Sequence, residues 1–194
     1  MRRFSLILAV LALTACGIND VPDKRNKLDA AWAEVQNQYQ RRADLIPNLV
    51  ATVEGFADQE REVLTGVVEA RARASSVQLS ADDLTDPAKV ARFEAAQEQL
   101  SGALSRLLVT VERYPELRSN ENFLALQSQL EGTENRIAVA RRDYIARVQD
   151  YNREFAVIPD RWVAAVFNGS YAPAEVFEAP EAAQEAPEVS FGDG

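Results

Sequence analysis

Apolar side chains recur at alternating spacings of three and four residues along most of the chain. In the first long segment only Arg42 and Glu60 interrupt this series. A stripe of this kind is typical of a long helix that packs on other helices, so the chain is predicted to be all-α. The positions of the stripe are Leu28, Trp32, Val35, Tyr39, Ile46, Leu49, Val53, Phe56, Val63, Val67, Ala70, Ala74 and Val77.

Pro47 lies inside this first segment and leaves two helix paths open. A proline within a helix removes one backbone hydrogen bond and clashes with the preceding turn. Either the helix kinks at Pro47, or a second helix starts there with Asp44 as its N-cap. Because the apolar stripe keeps its phase across the proline, we favour a kinked, near-continuous helix from Asp23 to Val77.

A second long helix is bounded by two prolines. Asp86 followed by Pro87 is a helix start, because an acidic N-cap precedes a proline at the first helical position. Tyr114 should end the helix, since a residue before proline resists the helical conformation. The apolar positions between them are Val90, Phe93, Leu100, Leu104, Leu107 and Val111.

A third helix begins after a cap at Ser119 or Asn120 and is stopped by Pro159. The following residues, 160–167, are predicted to form a short amphipathic helical turn that either caps the bundle or exposes an apolar spot. The expected fold is therefore an antiparallel bundle of three long helices plus a short C-terminal helix. If the first helix is split at Pro47, the bundle has four long helices.

The N-terminus resembles a bacterial lipoprotein signal. Arg2 and Arg3 precede an apolar run at 4–13, and Leu13-Thr-Ala-Cys16 ends with the only cysteine of the chain. We expect residues 1–15 to be a cleaved signal peptide and Cys16 to carry acyl chains that hold the protein on a membrane. More than one acyl chain is needed for stable anchoring.

Composition changes at both ends of the predicted bundle. Residues 16–23 form a short spacer, and 24–170 hold the helical domain. Residues 171–194 are rich in acids, alanine and proline and contain no base, which is typical of a disordered tail. Phe177 and Phe191 within the tail could serve as docking elements, but we favour a solvated tail.

Charge and residue usage exclude several kinds of chemistry. The formal net charge is −9 and becomes −11 without Arg2 and Arg3, so phosphate repulsion argues against nucleic acid. Histidine is absent, which removes the commonest general base and metal ligand. We therefore predict no metal, no cofactor and no enzymatic activity.

The segment Asn37–Val50, which contains Asp44-Leu-Ile-Pro-Asn-Leu49, resembles the LemA family. The resemblance covers about residues 24–170, and the Asp-Leu-Ile-Pro-Asn-Leu string is its specific part. Further matching blocks are Glu69–Ala74, Leu100–Leu107, Tyr114–Leu117, Asn120–Gln127, Glu134–Ala138 and Tyr151–Asn152.

The resemblance implies a membrane-tethered antiparallel bundle in the cell envelope. Two departures are visible: many family members have Tyr-Asn where this chain has Tyr144-Ile145, and many are anchored by a transmembrane helix instead of a lipoprotein signal. Family members are often encoded near TPM-domain proteins or membrane proteases, which implies envelope protein partners. We expect the protein to face the periplasm from the outer or inner membrane.

Polar residues around the proline are the candidate interaction site: Arg41, Arg42, Asp44, Pro47 and Asn48. They could form a recognition patch. Alternatively, Asp44 caps backbone freed by Pro47 and an arginine pairs with a carboxylate on a neighbouring helix. The candidate partners on the third helix are Glu121, Asn122, Glu134, Asn135 and Arg136. We favour the local structural role, because long-stemmed arginines often line bundle seams.

Two non-enzymatic functions remain open. The first is an envelope scaffold or adaptor that acts through protein contacts, which we favour and which leaves room for a homo-oligomer. The second is an envelope binding module for a small ligand or cell-wall material. An enzyme based on a carboxylate pair is disfavoured, because no cleft-forming loops are visible in the sequence.

Overall fold

The computed structural model describes residues 19–177, so the predictions for the signal peptide, Cys16 and the tail beyond 177 lie outside the described residues. The described chain is helical, with short turns and an extended C-terminal segment. Its helices are α1 (Asp20–Glu54), α2 (Arg61–Ser76), α3 (Pro87–Val111), α4 (Pro115–Arg118), α5 (Glu121–Ala156) and α6 (Asp160–Phe167); 3₁₀ turns span Asp58–Glu60 and Asp82–Thr85.

The helices α1, α2, α3 and α5 form an antiparallel four-helix bundle, which confirms the predicted all-α class. α1 packs along α5, α2 packs along α3, and α1 also contacts α2. Lys24 near the start of α1 donates to Glu154 near the end of α5. At the opposite end, Val53 of α1 and Phe123 of α5 share one apolar cluster.

The first helix does not break at Pro47, and the favoured near-continuous helix is wrong. α1 remains helical through Pro47 and ends at Glu54, after which the chain reverses and α2 runs back beside it. Phe56, predicted as a core position, is 43% exposed, whereas Ala57 is 1% exposed. The apolar spacing continues in phase because α1 and α2 each turn an apolar face toward the core of the bundle. Periodicity alone cannot distinguish such a hairpin from one long helix.

The predicted caps of the later helices are confirmed, whereas the alternative cap at Asp44 is not. Asp86 accepts from the amides of Ala88 and Lys89 at 3.0 and 3.3 Å. Asn120 accepts from the amide of Phe123 at 3.1 Å. Asp44 instead lies inside α1 and accepts from the side chain of Gln40.

The core consists of two apolar clusters stacked along the bundle axis. One surrounds Trp32, whose ring lies 5.4 Å from Phe93 and 5.5 Å from Tyr144 between centroids. The other is aliphatic and surrounds Leu49 and Leu100. Within the described range, no helix is both long and apolar enough to cross a membrane.

The first residues of the predicted tail are packed rather than solvated. Residues 171–177, here called the C-terminal strap, lie against the Trp32 end of the bundle, and Phe177 is 4% exposed. Asn152 makes two hydrogen bonds to the backbone of Ala174, at 2.7 and 2.8 Å. Composition predicted a solvated segment because it carries no information about tertiary packing, and Phe177 fills an apolar gap between Trp32 and Tyr144.

Candidate functional site

The candidate residues of α1 fall on two opposite sides of the helix. Arg42 occupies a position of the apolar stripe and is 1% exposed, so it lies inside the bundle. Arg41, Asp44, Pro47 and Asn48 are exposed. The five residues therefore do not form one patch, and each side needs its own interpretation.

Arg42 is the centre of a polar layer that also contains Gln97, Ser101 and Glu134. Its Nη1 donates to Ser101 Oγ at 2.8 Å and to Glu134 Oε1 at 2.9 Å. Its Nη2 donates to Gln97 Oε1 at 2.7 Å. The predicted pairing of an arginine with a carboxylate on a neighbouring helix is thus present as Arg42–Glu134.

Gln97 extends the polar layer to all four long helices. Its Nε2 donates to the carbonyl oxygen of Ala74 on α2 at 3.4 Å, while its Oε1 accepts from Arg42 on α1. Through Arg42 the network reaches Glu134 on α5. Buried polar groups need partners to offset desolvation, so this layer favours the one helix register in which those partners meet.

The polar layer separates the two apolar clusters of the core. Tyr39 lies on one side, with its ring centroid 5.1 Å from the Arg42 guanidinium carbon, and Ile46 lies on the other. Burial raises the pKa of the Tyr39 phenol. Arg42 Nε is buried without a hydrogen-bond partner within the described residues, although the ring of Tyr39 faces the guanidinium.

Pro47 is accommodated inside α1 by a side chain from α2. Because proline has no N–H, the carbonyl four residues earlier, that of Ala43, loses its helical donor. Arg71 Nε donates to this carbonyl oxygen at 2.7 Å. This contact joins the Asp-Leu-Ile-Pro-Asn-Leu string to the Glu69–Ala74 block.

The exposed side of α1 carries what we call the outer stripe: Arg41, Asp44, Pro47 and Asn48. Their spacing places Arg41, Asp44 and Asn48 along one helix face. Among residues 19–177, Asp44 accepts a side-chain hydrogen bond from Gln40 of the same helix, at 2.8 Å. The side chains of the stripe are therefore available at the surface of a rigid helix.

A groove of about 520 Å³ opens on another side of the bundle, between α3 and α5. Leucines form its floor and polar side chains form its rim, including Glu134 of the polar layer. The lining residues are Leu49, Ser101, Leu104, Ser105, Leu108, Gln127, Leu130, Glu131, Glu134 and Asn135. Such a groove can accept an apolar group with a polar end.

Sequence reasoning missed Gln97, Ser101 and Arg71. Gln97 stands between Phe93 and Leu100 at the spacing of the apolar stripe of α3, so a polar residue at a core position was the available signal. Arg71 carried no comparable signal, because its role depends on the reversal of the chain after Glu54. No group of three or more acidic, histidine or cysteine side chains suited to a metal occurs among residues 19–177.

Comparison with known proteins agrees with the architecture described above. Residues 31–191 match the LemA family. Two relatives, magnetosome proteins MamQ 1 and MamQ 2 of Paramagnetospirillum magneticum (strain ATCC 700264 / AMB-1), are each 36% identical over 76 residues. The match covers 39% of this chain and only 27% of each relative's length. On the extent of the family match, the chain belongs to the LemA family.

Proposed function

We propose that this protein is a lipid-anchored scaffold or adaptor of the bacterial cell envelope that works through protein contacts. Its anchor is a set of acyl chains on Cys16, and its working part is the helical bundle. Family membership and the lipoprotein-like N-terminal sequence support the location.

The observation that carries the adaptor function is the division of α1 into two faces. Both terminal nitrogens of Arg42 are bonded within the polar layer, whereas Arg41, Asp44 and Asn48 are exposed on the other side of the helix. A rigid helix with an exposed row of charged and amide side chains suits recognition of a polar protein surface. The proposed contact surface is therefore the outer stripe, with Arg42 as its internal support.

The partner is expected to be another envelope protein, with TPM-domain proteins and membrane proteases as candidates from the family resemblance. The formal net charge of −9 disfavours nucleic acid. No step of the proposed function needs a cofactor, a metal or enzymatic turnover. Self-association through the same stripe is a further form of this proposal.

Position-specific photo-crosslinking in intact cells tests the proposal. A photoreactive amino acid is placed at Arg41, Asp44 or Asn48, with exposed Arg142 on α5 as the control position. We expect one envelope protein to be captured from the stripe positions and not from Arg142. Equal capture from all positions, or none from the stripe, would contradict the adaptor surface.

The groove between α3 and α5 supports the second candidate, an envelope binding module for a small ligand or cell-wall material. Ser105→Trp should fill this groove, because Ser105 lines it and is exposed at its rim. If the protein is a binding module, purified peptidoglycan should retain the wild type and release the variant. Equal retention of both proteins would argue against binding in the groove.

A further inference from the structure

Exposed apolar side chains are concentrated at one end of the bundle, in residues 157–167. Five of the eleven large apolar side chains that stay exposed between residues 19 and 177 lie there. We call them the end patch: Val157, Ile158, Trp162, Val166 and Phe167. Trp162, Val166 and Phe167 are 63%, 73% and 60% exposed, although exposure of apolar side chains to water is unfavourable.

The helix that carries most of the end patch is held to the bundle by its other side. Ala164 is 3% exposed and belongs to the apolar cluster that also contains Tyr151. Trp162 and Val166 are one helical turn apart and point away from Ala164. α6 is thus fixed in place with a large apolar face left uncovered within the described part of the chain.

The end patch lies at the end of the bundle where the N-terminal anchor arrives. Val21 in the first turn of α1 and Ala164 in α6 belong to the same apolar cluster. Lys24 and Glu154 join the neighbouring turns of α1 and α5. The described chain starts at Asn19, three residues after Cys16, and three extended residues span roughly 10 Å.

The geometry points to the end patch as a membrane-contacting surface, with the outward face of α6 lying in the interface of the lipid bilayer. The inference rests on the proposed acyl anchor, because that anchor brings this end of the bundle to the membrane. Tryptophan favours the boundary between hydrocarbon and water, and short amphipathic helices bury their apolar face there. The partner is a lipid surface rather than a protein, since the patch lies at the end of the bundle from which about 10 Å of extended chain reaches back to the proposed anchor.

The local charges fit a zwitterionic lipid surface. Arg153 and Arg161 are exposed around the end patch and can keep their charged ends in water, while Asp160 offsets part of their charge. A basic face suited to anionic lipids is not present on α6, whose charged residues are Asp160 and Arg161. Burial of apolar side chains should therefore supply the free energy of binding to the lipid surface, and this binding should depend little on salt concentration.

This contact would orient the bundle in addition to holding it. An acyl anchor holds the bundle at one point, whereas a second contact at α6 points α1 away from the bilayer. Arg41 lies 22 residues beyond Asn19, or about 33 Å along the helix axis. The outer stripe would then stand at a defined height above the membrane.

Fluorescence quenching on vesicles tests the inference directly. The unacylated chain starting at Cys16 is coupled through this single thiol to a maleimide-headgroup lipid in phosphatidylcholine vesicles with brominated acyl chains. We expect the bromines to quench Trp162, while Trp32, which is 2% exposed, keeps its emission. Trp162→Phe should remove the quenchable part of the signal and leave the rest.

A matched set of variants separates the end patch from general hydrophobicity. Combined Trp162→Ser, Val166→Ser and Phe167→Ser should lower binding of the thiol-blocked chain to plain phosphatidylcholine vesicles about tenfold or more. The control combines Val68→Ser, Val109→Ser and Val139→Ser, which are also exposed and lie on other helices, and should bind as the wild type does. Circular dichroism checks that both proteins remain folded.

Absence of Trp162 quenching in the tethered protein would overturn the inference. Self-association that is lost with the end-patch variants, without vesicle contact, would overturn it too and would assign the patch to contact between copies. These outcomes are independent of the proposed function. Membrane release of Cys16→Ser in cells tests the anchor, whereas the vesicle experiment supplies its own anchor and tests only the end patch.

Discussion

Arg71 compensates for Pro47: its Nε donates at 2.7 Å to the carbonyl oxygen of Ala43, the group that the missing proline N–H leaves without a helical donor. Ala43 is 6% exposed, so bulk water has little access to this residue. The contact explains how α1 stays helical through the proline. It also makes the position of α2 depend on the proline, since the donor comes from that helix.

Arg71→Met should lower the free energy of unfolding by about 1–3 kcal/mol, because it leaves a buried carbonyl unsatisfied. The loss should be smaller in a Pro47→Ala background, where the new backbone N–H can donate to Ala43. Urea denaturation of the two single variants, the double variant and the wild type measures this coupling.

Arg73→Met is the matched control for Arg71. Arg73 is exposed and pairs only with Glu69 of the same helix, so its loss should change stability by about 0.5 kcal/mol or less. An Arg71 effect of equal size with and without Pro47 would show that the side chain does not compensate for the proline.

Glu134→Leu should destabilise the bundle by about 3 kcal/mol, because it leaves the buried charge of Arg42 without its counter-ion. Glu134→Gln also removes the counter-ion but keeps an oxygen acceptor for Arg42, so its effect should be smaller, about 1–2 kcal/mol. Glu131→Leu, on the same exposed side of α5, controls for the added apolar group. Equal unfolding free energies for Glu134→Leu and Glu131→Leu would contradict the role of the polar layer.

Phe177→Ala should release the C-terminal strap. Its ring packs 4.8 Å from Tyr144 and 5.7 Å from Trp32 between centroids, and truncating a buried phenylalanine costs up to about 3–5 kcal/mol. If the strap is released, the loss of unfolding free energy cannot exceed the free energy with which the strap docks. We therefore expect a loss of about 3 kcal/mol or less and faster proteolysis within 171–177. The Val176→Ala variant, changed at a position that is 38% exposed, should be cleaved by the protease at the wild-type rate. Equal cleavage of both variants would argue against docking through Phe177.

These results show which parts of the fold local sequence can predict. The Asp86 and Asn120 caps depend on neighbouring residues only, and both were predictable. The hairpin after Glu54 was not predictable, because α2 has the same apolar periodicity that a continuous helix would have. Gly55 was the available signal, since glycine weakens a helix interior by about 1 kcal/mol.

The candidate site was also predictable from the sequence only in part. The expected pairing of an arginine near Pro47 with a carboxylate on a neighbouring helix is present as Arg42–Glu134. The convergence of Gln97 and Ser101 on that arginine depends on how four helices meet, which no local pattern encodes. The strap was missed for the same reason: Phe177 is recognised only by the gap it fills.

Stability should fall above about pH 10. Burial raises the pKa of the Tyr144 phenol, whose hydroxyl donates to the carbonyl oxygen of Glu175 at 3.1 Å. The unfolded chain ionises this tyrosine at about pH 10, whereas the folded chain keeps it neutral, so its stabilising contribution is present below that pH and lost above it.

Thermal melts between pH 8 and pH 11 measure this loss. Tyr144→Phe removes the titrating group, so its melting temperature should decrease less over the same interval than that of the wild type. An identical decrease in both proteins would assign alkaline unfolding to other groups, such as Tyr39 or Tyr151, whose pKa values burial also raises.

A lipid anchor on Cys16 is proposed to place the bundle beside an envelope partner. The most direct measurement is crosslinking in intact cells, with membrane fractionation and mass spectrometry of captured proteins, for the wild type and Cys16→Ser. We expect the wild type to capture a specific envelope protein, and we expect both this capture and membrane association to be lost in Cys16→Ser. Continued membrane fractionation of Cys16→Ser, or capture of no protein at all, would contradict it.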